Sequence, residues 1–122
     1  MNSDICDANK TIDFFKKEVE EFVKNRQWSK YHTPKELAQA ISIESAELME
    51  LFLFRNYALE EILKNPELLS KISDEISDVF IYLLSFVNAL NLDLTTAFQT
   101  KMEKNRKKYN LQEFSNGFYK KK

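Results

Sequence analysis

The chain has 122 residues and a formal net charge of −1, from 18 Lys+Arg against 19 Asp+Glu. That length suits one domain, and that balance excludes a global attraction to nucleic acid or to an anionic membrane. Hydrophobic residues make up 43% and charged residues 30%, the mix of a globular protein, while a single Gly and two Pro disfavour a turn-rich β fold and favour long helices.

Residues 1–9 read as a loose leader. Asp4 and Asp7 and the lack of an apolar core there are unlike a signal peptide. Cys6 is the only cysteine, cannot form an internal disulfide, and reads as an exposed thiol. A first helix is expected from Thr11 to Gln27, where Ile12, Phe15, Val19, Phe22 and Val23 recur at helical spacing. Trp28 to His32 reads as a loop.

Thr33-Pro34-Lys35-Glu36 marks a helix start, with Thr33 at the N-cap, Pro34 at the first position and Glu36 completing a capping box. That second helix is expected to run to Phe54, with a short helical piece over Tyr57–Lys64. Asn65-Pro66 breaks the chain. A third helix is expected from Glu67 to Leu90, and Asp93 is placed to cap a fourth that reaches Tyr109. The tail 110–122 is expected to be irregular and peripheral, with Phe114, Phe118 and Tyr119 available for packing. The run Ile76–Leu90 is interrupted by Ser77, Asp78, Ser85 and Asn88 and is shorter than the about 20 residues a bilayer span needs. The expectation is a soluble, cytoplasmic, all-α protein with four helices on one core.

Two acidic pairs stand out. On a wheel of about 100° per residue, Leu37, Ala40, Leu48 and Leu51 lie within about 40° of Glu44, and Glu47 within about 60°. Two glutamates thus occupy the face that should enter the core. A carboxylate there costs several kcal/mol unless it is paired, protonated or metal-bound. On the third helix Glu75 and Asp78 are also three apart, opposite the apolar face of Ile72, Ile76, Val79, Phe80, Leu83, Val87 and Leu90. Alone they read as solvated. If the two helices face each other, four carboxylates converge, and a divalent cation relieves their repulsion. An all-oxygen set favours Mg²⁺, with Mn²⁺ as substitute. Glu-x-x-Glu pairs are also common on exposed helices, so a merely solvated face is the competing reading. Glu50 and Asp74 extend the two series.

Glu44-Ser45-Ala46-Glu47-Leu48, followed by Asp74-Glu75-Ile76-Ser77-Asp78-Val79, resembles the E-x-x-E … E-x-x-D signature of the MazG-like all-α NTP pyrophosphohydrolases. More narrowly it is similar to their dCTP pyrophosphatase-type subgroup. The stretch Arg26–Pro34 resembles the subgroup's lead-in to the first acidic helix, and Lys101–Tyr109 its closing helix. The resemblance implies a MazG-like bundle that forms dimers or tetramers. It also implies Mg²⁺-dependent hydrolysis of a (deoxy)nucleoside triphosphate to the monophosphate and pyrophosphate, as in clearance of dCTP-like or non-canonical nucleotides.

By the same resemblance Glu44, Glu47, Glu75 and Asp78 take the metal-ligand role, with Glu47 or Glu44 accepting a proton from the attacking water. Trp28 and His32 fall near the base, and Tyr82, Lys101 and Asn105 near sugar and phosphates. Phe54 stands where relatives often carry Trp. Spacing is compatible with this, because Lys101, Asn105 and Lys108 share one helical face. Two other readings compete: a non-catalytic metal-binding helical interaction module, and a nucleic-acid module using Lys101–Lys122, against which the near-zero net charge counts.

Overall fold

The computed structural model describes residues 4–122, and among these it contains helices and no strand. In chain order the helices are α1 (Ile12–Asn25), α2 (Pro34–Glu50), α3 (Leu59–Leu63), α4 (Pro66–Ala89), α5 (Leu94–Lys108) and α6 (Leu111–Phe114), with a 3₁₀ turn at Ser29–Tyr31 after α1. The all-helical expectation holds. The four long helices read from the sequence are α1, α2, α4 and α5, and the short piece is α3.

Side-chain caps explain most of the starts. Thr11 Oγ1 accepts from the Phe14 N–H, Thr33 Oγ1 from Glu36, Asn65 Oδ1 from Leu68 and Asp93 Oδ2 from Thr96. Each satisfies a donor that the first helical turn leaves without a partner. The ends were harder to read. α2 stops at Glu50, not Phe54, because the next residues close tighter turns: Phe52 N–H donates to the Met49 carbonyl and Leu53 N–H to Glu50. Phe54 then takes a left-handed φ of 58°. α1 ends at Asn25 in a Schellman turn. Trp28 N–H donates to the Val23 carbonyl and Gln27 N–H to Lys24, with Gln27 at φ 54° where glycine is usual.

The tail also departs from expectation. It contains α6, because Asn110 caps it by accepting from the Glu113 N–H. Tyr109, Phe114, Phe118 and Tyr119 pack ring on ring around it. Of the leader expected over residues 1–9, residues 1–3 lie outside the described residues. In the remainder, Asn9 folds the chain locally, donating to the Asp4 carbonyl and accepting from the Cys6 N–H.

The chain divides into two compact units, Met1–Asn91 and Leu92–Lys122. In the first, α4 is the central rod: α2 packs along it most extensively, followed by α1 and α3. Leu37 of α2 and Leu84 of α4 are fully buried, and Val19 and Val87 nearly so. Each such side chain contributes about 1.5–3 kcal/mol on leaving water. Part of the face expected to be core is open, since Ile76, Leu83 and Leu90 are exposed. The second unit holds α5 and α6, and α5 has no buried residue. Among the described residues, no single helix is long and apolar enough to cross a membrane.

Candidate metal centre and adjoining cavity

The packing of α2 along α4 brings the acids together. One carboxylate oxygen each from Glu44, Glu75 and Asp78 lies within 4.8 Å of the others, and all three side chains are half-buried. The sequence pattern put Glu75 and Asp78 on a solvated face. They are half-buried because α2 lies against the side of α4 that carries them. Glu47 is exposed and outside this trio, yet close enough to hydrogen-bond Glu44 and Glu75. Glu50 and Asp74 are exposed.

The electrostatics are strained. Burial, with Glu47's hydrogen bond and charge and then the charges of Asp78 and Glu75, pushes the Glu44 carboxyl up to about 7. Glu75 is raised too, by burial first and then by Glu47 and Asp78. Like charges about 4 Å apart repel by about 4 kcal/mol at an effective dielectric near 20. Oε2 of Glu44 and Oε2 of Glu75 are shielded from water and have no hydrogen-bond partner. Buried oxygens without donors are rare. A divalent cation supplies what both lack, and an all-carboxylate set suits a hard ion such as Mg²⁺ or Mn²⁺. The residues present therefore fit a metal.

A cavity of about 360 Å³ lies between α1 and α4. Phe15, Val19 and Phe22 wall it from α1, and Phe80, Tyr82 and Ser85 from α4. Trp28 and His32 close it from the connection. The Schellman turn at Gln27 sets Trp28 edge-on to Phe22, centroids 5.9 Å apart, while the Arg26 guanidinium caps the Phe22 ring at 3.7 Å. Burial lowers the His32 imidazole from its ordinary value, which favours the neutral form. Mostly apolar walls with a few polar groups, at this size, are the usual make-up of a small-molecule site. Tyr82 lies one helical turn beyond Asp78, which ties the cavity to the acids through α4.

Of the other residues singled out from the sequence, Phe54 is 97% exposed and is not part of this wall. Lys101 is exposed and Asn105 half-buried, one turn apart on α5 in the second unit. Sequence reading missed Phe15, Phe22, Phe80 and Ser85 as cavity walls. The available signal was a lone serine inside the apolar stretch Val79–Val87.

The MazG-like family matches residues 39–118, a span that includes both acidic pairs and crosses from the first unit into the second. Over 90 residues the chain is 34% identical to dCTP pyrophosphatase 1 of Rattus norvegicus and 33% identical to that of Homo sapiens. These alignments cover 73% of this chain and 53% of each relative, so the chain spans about half the length of the curated relatives it matches. The crystal structure of a pyrophosphatase from Archaeoglobus fulgidus superposes with a TM-score of 0.71 at 38% identity, covering 87% of this chain and 98% of that one. Helical architecture, paired acids and the extent of these matches agree: the chain belongs to the MazG-like family.

Proposed function

We propose that the protein is a divalent-metal-dependent nucleotide pyrophosphohydrolase that splits a (deoxy)nucleoside triphosphate into the monophosphate and pyrophosphate. The observation that carries this reading is the convergence of Glu44, Glu75 and Asp78, two of them with buried, unpartnered oxygens. The named relatives, a dCTP pyrophosphatase and a pyrophosphatase, support a phosphoanhydride as substrate.

In this reading Glu44, Glu75 and Asp78 hold Mg²⁺, with Glu47 as a fourth carboxylate at the edge. The bound ion supplies charge neutralisation for the phosphates and acidity for water. Glu47 is open to solvent and accepts the proton of the water that attacks the α-phosphorus; Glu44 is the alternative acceptor. Trp28 offers a ring face to the base, and neutral His32 and Tyr82 offer hydrogen bonds around base and sugar. Lys101 and Asn105 bind phosphate and sugar oxygens. Phe54 matches an aromatic base contact by family resemblance alone, because it stands outside the cavity wall of this chain. The reading treats 1–122 as one functional domain acting in the cytoplasm.

Self-association belongs to the same proposal. Ile43, Met49, Leu59, Leu63 and Ile76 are each more than half exposed, apolar groups that a second copy of the chain would cover. Light scattering should give the mass of a dimer or tetramer. Incubating the protein with each nucleoside triphosphate and Mg²⁺, followed by ion-exchange chromatography, tests the chemistry. Monophosphate and pyrophosphate in equal amounts are expected. Orthophosphate, or no product from any triphosphate, overturns the proposal.

A further inference from the structure

The cavity wall is polar at one deep point. Ser85 is 4% exposed and is the one buried polar side chain among the described residues. It lines the 360 Å³ cavity and also a second one of about 310 Å³, which shares Val19, Val23 and His32 with the first. Ser85 thus stands where the two spaces abut. A hydroxyl held among apolar side chains costs stability unless a partner bonds it. A helical serine can place its proton on the carbonyl four residues earlier, and its oxygen then keeps the capacity to accept.

Position supplies the second argument. Glu75, Asp78, Tyr82 and Ser85 follow one another at intervals of three, four and three residues, so they form a single stripe along α4. From Asp78 to Ser85 the helix rises about 10.5 Å. Acids at one end, a phenol in the middle and a buried hydroxyl at the other match the order phosphate, sugar, base along a nucleotide.

We propose that Ser85 is the base-reading residue of the site: its hydroxyl bonds the polar edge of the base seated in the cavity and sets which base is preferred. This deepens the pyrophosphohydrolase reading and rests on it for the placement of the phosphates. Discrimination comes from Ser85 because it is the one buried polar group of the wall: His32 and Tyr82 are only half-buried, Glu18 is exposed, and the remaining walls are rings and aliphatic groups that hold any base by its faces.

Trp28 is the only tryptophan and lines the cavity, so its fluorescence reports occupancy. The four deoxynucleoside monophosphates are titrated into the full chain and its Ser85→Ala variant, and kcat/KM is measured for the four triphosphates. In the wild type one base should bind best. In Ser85→Ala that base should lose about tenfold while the others stay within about twofold, the size of one hydrogen bond. If Ser85→Ala fails to fold, Ser85→Cys keeps the volume with a weaker hydrogen-bonding group and should flatten the profile in the same direction. Uniform loss across bases, an unchanged profile, or no Trp28 response to any monophosphate overturns the assignment. Hydrolysis with an unchanged profile in Ser85→Ala removes Ser85 alone and leaves the enzyme standing. Base-dependent binding without hydrolysis by the wild type removes the enzyme reading and keeps Ser85.

Discussion

Helices α2 and α5 have similar lengths, 17 and 15 residues, and both carry charges implicated in the proposed chemistry. Their surroundings differ. α2 buries Leu37 and lies along α4, so its Glu44 shares a half-dry space with Glu75 and Asp78. α5 buries no side chain and ends in Arg106, Lys107 and Lys108, which stay in water. The same kind of residue therefore has different consequences. A carboxylate between packed helices stores repulsion that a cation can release, whereas a solvated lysine stores almost nothing and costs little to keep.

The sharpest way to break this contrast is to neutralise the acids. Glu44→Gln, Glu75→Gln and Asp78→Asn should each lower turnover by about a hundredfold or more, and chelation of metal should abolish it. The folded state, followed by circular dichroism, should persist. Unchanged turnover in all three would separate the cluster from the chemistry. Next in size is the core. Leu37→Ala or Leu84→Ala should cost about 2–5 kcal/mol in urea unfolding, while Lys101→Ala on α5 should stay within about 0.5 kcal/mol and still slow hydrolysis.

A pH series sharpens the same comparison. In the folded state Glu44 titrates at about 7, above its ordinary 4.5, so the folded form binds the proton more tightly. Its contribution to stability is complete below about 4.5 and is lost as pH rises through about 7. Glu75 is raised and acts in the same direction. His32, lowered by burial, opposes them, because its neutral form stabilises the fold and that contribution is lost as pH falls. Metal-free protein should therefore melt lower at pH 8 than at pH 5.5, and Mg²⁺ should raise the melting temperature more at pH 8. Melting that is independent of both would mean the acids are relaxed without an ion. The smallest effect concerns the rod beneath the site: Asn65→Ala removes the cap of α4 and should cost about 1 kcal/mol.

The starts of α2 and α5 were legible because Thr33 and Asp93 write their caps in sequence, and Asn65, read as part of a break, proved to cap α4. The ends of α1 and α2 were not legible, since Gln27 and Phe54 adopt left-handed backbone without being glycine, whereas α4 and α5 end within one residue of expectation. The wheel singled out Glu44 correctly, because a charge in an apolar stripe is a conflict visible in one helix. Taken alone it put Glu75 and Asp78 on a solvated face, and they are half-buried only because α2 faces them, the condition under which the sequence reading brought the acids together. The cavity was least legible. Phe15 and Phe80 read as ordinary core, and only their edge-to-face contact at 5.7 Å, with open space beside it, marks them as walls.

One bond near that space has a longer reach. The Asn88 side-chain amide donates to the backbone carbonyl of Lys16 at 2.9 Å, tying α4 to α1 beyond the aromatic contact. Side chains drift and rotate, but a carbonyl moves only with its whole helix. The spacing of the two rods is metered by this tie, so the width of the slot between them is an inherited dimension. Sequence change can recolour the lining of such a slot far more easily than it can widen it.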